Sequence, residues 1–118
     1  MTNYIAKGWG GEVIWANEPE YCGKILKFKA GAKFSMHFHK EKKESWYVLS
    51  GVINLHLLNM DNASITTCLL EPGSIWTNMP GEAHQIEAIT DSEVLEVSTK
   101  DSVKDNYRVF PGDSQKCE

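Results

Sequence analysis

The sequence predicts an all-β fold, either a sandwich or a barrel of short strands. Runs rich in β-branched and aromatic residues recur along the chain, and glycine and proline separate them about every eight to twelve residues. No stretch keeps the helical period of about 3.6 residues over three turns. A double-sheet jelly roll accommodates about ten strands of this kind. The clearest predicted strands are 13–15, 24–29, 45–49, 52–58, 64–70, 74–77, 85–89 and 94–98.

The strand that begins at Lys24 predicts a cation inside the fold. Successive side chains of a strand point to opposite faces, and Lys27 with Lys29 marks one face as solvated. Lys24 therefore points inward with Leu26 and Phe28. An interior lysine needs an anion or a ligand, so Lys24 is a candidate catalytic and substrate-binding residue. The alternative is a lysine that reaches solvent at the mouth of the barrel.

Residues 31–51 carry the most informative pattern, GAKFSMHFHKEKKESWYVLSG, which a glycine opens and another closes. His37 and His39 are two residues apart and share a strand face, and Glu44 returns on the next strand. His84 follows the Pro-Gly turn further along the chain. Imidazoles and a carboxylate that converge form a site for a divalent metal. The predicted metal ligands are His37, His39, Glu44 and His84.

Other polar and aromatic residues near these strands are assigned by the same alternation. Trp46 points inward beside Glu44, either to stack on a substrate or as plain core. Trp76 and Asn78 precede the Pro80-Gly81 turn, so they are expected near the mouth of the barrel and are further candidates for substrate binding. His56 lies on a solvent-facing pattern and is left out of the site. The charged turn 40–43 is expected to be solvated.

The spacing of these residues resembles the two motifs of the cupin superfamily. Gly31, His37, His39, Glu44 and Gly51 fit the whole first motif. The pattern formed by Gly73, Pro80-Gly81 and His84 resembles the second motif, with one extra residue between Gly73 and Pro80. The resemblance implies a cupin-type double-stranded β-helix, a jelly-roll barrel, as a single domain over 1–118 with its metal-site core at 31–88. It also implies a homodimer, for which the strand near 12–15 could serve as an edge.

A second resemblance concerns the residues before the histidines. The segments KGWGGEV at 7–13 and YCGKILKF at 21–28 are similar to the entry to the cupin domain of type II mannose-6-phosphate isomerases. This resemblance implies an enzyme that acts on a sugar or a sugar phosphate. Its metal would polarise the C1 and C2 oxygens while a base moves a proton between the two carbons. Lys24 or a metal-bound hydroxide are the candidate bases, and Lys24 could instead hold a phosphate.

Two other functions remain open from the sequence. One is an iron- or manganese-dependent small-molecule dioxygenase, and the other is a ligand-binding cupin without catalysis. Three imidazoles and a carboxylate suit several divalent metals; zinc is the first candidate, with iron, manganese or nickel as alternatives.

Composition narrows the class of partner. The 118 residues suffice for one domain, and 42% of them are hydrophobic. A net charge of −4 argues against nucleic acid or an anionic membrane as partner. Three cysteines, an odd number without a CxxC spacing, argue for reduced thiols. No apolar signal segment or membrane span is evident, so a cytoplasmic protein is expected. Its expected partner is a small-molecule substrate, and the second resemblance implies a carbohydrate.

The C-terminal stretch 101–118 contains Asp105, Arg108 and Asp113. Its polar composition predicts a loosely packed tail that forms a short cover over a sheet edge.

Overall fold

The computed structural model describes residues 3–115 as eleven strands and one short 3-10 helix. Short strands alternate with tight turns throughout, as the punctuation of the sequence predicts. The strands are β1 (Tyr4–Lys7), β2 (Gly10–Asn17), β3 (Cys22–Phe28), β4 (Met36–Phe38), β5 (Glu44–Ser50), β6 (Ile53–Leu58), β7 (Ile65–Leu70), β8 (Ile75–Asn78), β9 (Ala83–Ala88), β10 (Ser92–Ser98) and β11 (Tyr107–Phe110). The 3-10 helix is Asp113–Gln115.

Two antiparallel sheets face each other. The six-stranded sheet has the order β1-β2-β3-β10-β5-β8, and the five-stranded sheet has the order β11-β4-β9-β6-β7. Strands distant in sequence are neighbours in both sheets, so consecutive strands repeatedly cross between them. This arrangement confirms the predicted all-β jelly roll of the cupin type.

The core lies between the two sheets and follows the predicted alternation. On β3 the buried side chains include Lys24, Leu26 and Phe28, whereas Lys27 is exposed. On β5 the inward residues Glu44, Trp46 and Val48 are buried. The main hydrophobic cluster comprises Trp9, Leu26, Phe28, Ala32, Phe34, Trp46, Val48, Ile53, Leu55, Leu70, Ile86, Ala88 and Val94. Polar side chains that share these inward faces therefore collect at one end of the core.

The edges of the sheets differ from the expectation at the N-terminus. The strand near Glu12 and Trp15 is not an edge, because β2 pairs with β1 on one side and with β3 on the other. The edge is β1, which lies one strand further out.

The C-terminal stretch covers an edge, as predicted, because β11 pairs with β4. The expected loose packing is wrong for Asp105, which is buried and accepts backbone hydrogen bonds.

The thiols of Cys22 and Cys68 are free, and Cys22 is buried. Cys117 lies outside the described residues. Within 3–115, no helix is long and apolar enough to cross a membrane.

Candidate metal centre and cavity

Three histidines meet on the inner face of the five-stranded sheet. His37 on β4 and His84 on β9 are direct cross-strand partners, and His39 follows the end of β4. The ring centroid of His37 is 4.7 Å from that of His84 and 5.0 Å from that of His39. One nitrogen from each of the three rings lies within 4.8 Å of the other two. The structure therefore brings together the three histidines that the sequence selected.

A backbone carbonyl holds Nδ1 of each ring. The oxygen of Ser35 lies 2.7 Å from His37 Nδ1, and the oxygen of Glu82 lies 3.0 Å from His84 Nδ1. The oxygen of Asp105 lies 2.5 Å from His39 Nδ1. A carbonyl oxygen only accepts, so each Nδ1 must donate its proton. In the neutral ring Nε2 then carries a lone pair, the form that binds metals.

Glu44 approaches the histidines from the other sheet. Its Oε1 lies 2.8 Å from His84 Nε2 and 3.8 Å from His39 Nε2. His84 Nε2 is buried and has no hydrogen-bond donor or acceptor of fitting geometry among the described residues. A lone pair that faces a carboxylate oxygen at this distance is unfavourable unless a proton or a metal cation lies between them. Three imidazole nitrogens and one carboxylate therefore fit a divalent cation.

Two of the three histidines, His37 and His39, have lowered pKa values in the folded chain. Burial lowers the pKa of His37 to about 3, and the neighbouring rings of His84 and His39 add to this effect. Burial also lowers the pKa of His39, although Glu44 partly opposes it. Neutral imidazoles are available to a metal at neutral pH without losing a proton first.

Lys42 is buried beside Glu44, which the sequence did not predict. Its side chain is only 5% exposed, and its Nζ lies 3.4 Å from Glu44 Oε2, 3.4 Å from Glu96 Oε2 and 3.0 Å from Asp101 Oδ1. Burial alone would lower the pKa of Lys42, but the carboxylates of Glu96, Glu44 and Asp101 raise it well above its ordinary value. The expectation that 40–43 is a wholly solvated turn is wrong here, because this one lysine turns inward to three acids.

Glu96 on β10 completes the acidic side of the cavity. Trp46 Nε1 donates to its Oε1 at 3.0 Å. Burial and the nearby Glu44 raise the pKa of Glu96 to about 7, against the opposing effect of Lys42. Alternation could have found this residue, since Val94, Glu96 and Ser98 share the inward face of β10.

Lys24 lies inside, as predicted, and forms ion pairs with two acids. Its Nζ is 3.0 Å from Asp101 Oδ2 and 3.5 Å from Glu12 Oε1. Burial lowers the pKa of Lys24, but Glu96, Glu12 and Asp101 together raise it above the ordinary value. The side chain is therefore an ammonium at neutral pH, better suited to hold an anionic group than to accept a proton.

Trp46, Trp76 and Asn78 take different places around Glu44. Trp46 is buried and borders the cavity. Asn78 Nδ2 donates to Glu44 Oε1 at 3.3 Å, and Trp76 Nε1 donates to Asn78 Oδ1 at 2.9 Å. Trp76 and Asn78 are not among the described residues that line the cavity, so the structure places them behind Glu44 rather than at the mouth. A substrate contact by either residue stays a prediction.

The cavity in front of the histidines has a volume of about 230 Å³. It is lined by His37, His39 and Glu44, by Lys24 and Trp46, and by residues of the C-terminal stretch that include Asp101 and Arg108. Sequence reasoning did not assign Asp101 or Arg108 to the site. Their spacing carries no motif, and only the pairing of β11 with β4 brings Arg108 opposite His37.

Comparison with known proteins adds a family and a fold. A family model described as the cupin domain matches residues 24–99. No curated protein sequence matches the chain significantly.

Several solved structures have a similar fold. KdgF from Halomonas sp. matches with a TM-score of 0.74 and 20% identity, over 86% of this chain and 89% of that one. The capsular polysaccharide assembling protein CapF from Staphylococcus aureus matches with a TM-score of 0.80 and 16% identity, over 93% of this chain and 33% of that one. Bacillus subtilis oxalate decarboxylase, a protein with Mn(II) centres, matches with a TM-score of 0.78 and 17% identity, over 92% and 30%. The chain thus spans about a third of the last two proteins, and at these identities the likeness concerns the fold alone.

Proposed function

The chain belongs to the cupin family, and from that premise we propose that it is a metal-dependent enzyme acting on a sugar or a sugar phosphate, similar to mannose-6-phosphate isomerases. The observation that carries the proposal is the cluster of three histidine nitrogens, two of which lie within 3.8 Å of Glu44 Oε1, beside a cavity that His37, His39 and Glu44 line. A fold as widely used as this one does not by itself indicate a reaction. The proposal therefore depends on the chemistry of the residues that line the cavity.

In this proposal His37, His39, His84 and Glu44 hold a divalent metal, with zinc first and iron, manganese or nickel as alternatives. The bound metal would supply Lewis-acid polarisation of substrate oxygens. Lys42 Nζ forms an ion pair with Glu44 Oε2, and the other carboxylate oxygen, Oε1, points at the histidines.

The charges of the cavity favour an anionic sugar. Lys24 is an ammonium in the wall, and Arg108 and Lys7 are exposed in the lining with no ion pair to other residues in 3–115. The lining contains four basic side chains and four carboxyl groups, and one of those acids, Glu96, titrates near neutral pH. A divalent cation would therefore leave the loaded cavity positive, which favours a phosphate or carboxylate on the substrate.

Binding and proton transfer can be divided among the residues of the wall. Lys24 would hold the anionic group, and the Trp46 ring would border the sugar. The reaction also needs a group that accepts a proton, and Glu96 lies in the same wall. Lys24 stays the base predicted from the sequence, although its raised pKa makes the binding role the better supported of the two.

The test is metal content followed by ligand binding. Protein purified without chelator or immobilised nickel is analysed for metals beside a His37→Ala/His39→Ala double variant. We expect about one zinc or manganese per chain in the wild type and loss of it in the variant. Thermal shifts with sugar phosphates and turnover of one of them would then support the isomerase-like function. A wild-type protein that is folded and binds no divalent metal would exclude the site.

A redox function is the second candidate. Oxalate decarboxylase, with its Mn(II) centres, shares the fold, and the donor set of this site also suits manganese and iron. Stoichiometric iron in the wild-type protein, with no thermal shift by sugar phosphates, would favour the dioxygenase. Binding of a sugar without turnover would favour a ligand-binding cupin.

We also propose that the protein is a cytoplasmic homodimer of one cupin domain per chain, 1–118 with the site core at 31–88. An apolar row crosses the outer face of the six-stranded sheet, where cross-strand partners follow one another as Val13, Ile25, Leu95, Tyr47 and Ile75. Tyr47 and Ile75 are exposed.

A further inference from the structure

Asp105 joins the C-terminal stretch to the turn between two metal ligands. Its carboxylate accepts the backbone N–H of Lys40 at 2.7 Å and that of Lys42 at 2.9 Å, and it also accepts the N–H of Glu41 at 3.2 Å. These are three consecutive donors in the turn that leads from His39 to Glu44. One side chain therefore fixes the backbone between two of the ligands that come from different sheets.

The backbone of Asp105 acts on the same ligand. Its carbonyl accepts the proton of His39 Nδ1, and this bond keeps Nε2 unprotonated and directed at the other histidines. The backbone carbonyl of Asp105 thus orients the ring of His39, and its carboxylate holds the turn that follows His39.

His39 differs from the other histidines in the origin of its acceptor. His37 and His84 donate to carbonyls two residues earlier, those of Ser35 and Glu82, each of which immediately precedes the strand of its histidine. The acceptor of His39 lies 66 residues away along the chain. It also lies beyond residue 99, where the match to the cupin domain model ends. Local strand geometry is sufficient for two of the histidines, whereas the third depends on the C-terminal stretch.

We propose that Asp105 is a positioning residue of the metal centre, which holds His39 in its metal-binding tautomer and orientation through its carbonyl and holds the 40–42 turn through its carboxylate. This inference rests on the proposed metal site. Burial would raise the pKa of Asp105, but the three backbone N–H bonds lower it, so the group is a carboxylate at neutral pH. Charged acceptors make the stronger hydrogen bonds.

The first experiment uses the metal-free wild-type protein. Long-range ¹H–¹⁵N NMR spectra of the histidine side chains distinguish Nδ1–H from Nε2–H rings. We expect His39 to be the Nδ1–H tautomer. Asp105→Ala keeps the backbone carbonyl but removes the carboxylate bonds that hold residue 105 against the 40–42 turn, so we expect His39 to lose that uniform state in the variant. A wild-type His39 with the proton on Nε2 would overturn the proposal without any variant.

The second experiment measures affinity for Zn²⁺ and Mn²⁺ by competition with a chromophoric chelator. We expect Asp105→Ala to bind about 10- to 100-fold more weakly, and Asp105→Asn, which keeps one acceptor oxygen, to lie between it and the wild type. Asp91→Ala is the matched control, because Asp91 also caps a backbone N–H, that of Ala30 at 2.8 Å, in a turn that does not line the cavity. We expect its affinity to equal that of the wild type.

The outcomes separate the two proposals. A folded wild-type protein without metal affinity would contradict the proposed function, while the NMR result on His39 would still decide the position of its proton. Metal affinity in folded Asp105→Ala and Asp105→Asn equal to that of the wild type would overturn the role of Asp105 alone. An equal loss in Asp91→Ala would overturn it as well, since the effect would then follow general stability.

Discussion

Glu96 is a buried acid whose ionisation opposes folding. Burial and Glu44 raise its pKa from an ordinary 4.5 to about 7. A group with a raised folded pKa contributes stability that is fully present below the unfolded pKa and is lost as the pH rises through the folded one. The contribution of Glu96 is therefore present below about pH 4.5 and is lost as the pH rises through about 7.

This linkage predicts how Glu96→Gln changes the pH dependence of stability. In metal-free protein, the free energy of unfolding of the wild type should fall relative to that of the variant by about 2 kcal/mol between pH 5 and pH 8. Urea unfolding at several pH values measures the difference. Glu93→Gln is the control, because Glu93 lies on the same strand but is 40% exposed beside Lys27. The prediction would be contradicted if the difference in free energy of unfolding between the wild type and Glu96→Gln changed no more with pH than the difference between the wild type and Glu93→Gln.

The buried charges around Lys42 also belong to the residue scale. A lysine that was read as solvated is surrounded by Glu44, Glu96 and Asp101. Charge type alone does not reveal this, since most lysines of such turns are exposed. The decisive fact is the direction of a single side chain in a short turn, which depends on the acids that other strands bring near it.

At the scale of the elements, the turns fix where the strands return. Gly51 lies between β5 and β6 with a positive φ of 77°, and a Cβ there would collide with the backbone of Asp91 and Ser92. Gly73 also has a positive φ, of 90°, but a Cβ there would meet nothing within 4 Å. The two motif glycines share a conformational demand and differ in the space around them.

This difference predicts unequal effects of alanine at the two positions. Gly73→Ala should lower the free energy of unfolding by about 1 kcal/mol through backbone strain alone. Gly51→Ala should lower it by about 3 kcal/mol, because the backbone at Asp91 must also move. Urea unfolding of the two variants measures both values, and equal losses would mean that the close approach at Gly51 has no energetic consequence.

Strand alternation was the most reliable sequence signal at this scale. It placed Lys24 beside Leu26 and Phe28, and Trp46 beside Glu44, all inside as the structure has them. It was less informative at the ends, because a short edge strand such as β11 has too few residues to show a period. The N-terminal edge was misassigned for the same reason, since β1 has only four residues.

At the scale of the whole molecule, the apolar outer face of the six-stranded sheet predicts self-association. The proposed homodimer should have about twice the chain mass of 13.3 kDa in light scattering. Ile75→Lys should convert it to the monomer by placing a charge in the apolar row, since Ile75 is 74% exposed there. Ile65→Lys, an exposed isoleucine on the other sheet, should leave the dimer intact. A wild-type protein of 13.3 kDa at micromolar concentration would contradict the dimer.

The sequence by itself determined the fold class, the inward face of each long strand and the four residues that converge at the histidine cluster. These features follow from local rules: side chains repeat every two residues along a strand, and HxH spacing puts two rings on one face.

Only the tertiary structure decided which buried charges meet. Lys42, Glu96, Asp101 and Asp105 come from three separate parts of the chain, and the packing of the two sheets and the last strand brings them together. Such contacts carry no sequence period, because the partner of each group is set by strand pairing across the molecule. The four residues at the histidine cluster could therefore be predicted from spacing, whereas the residues that hold them in place could not.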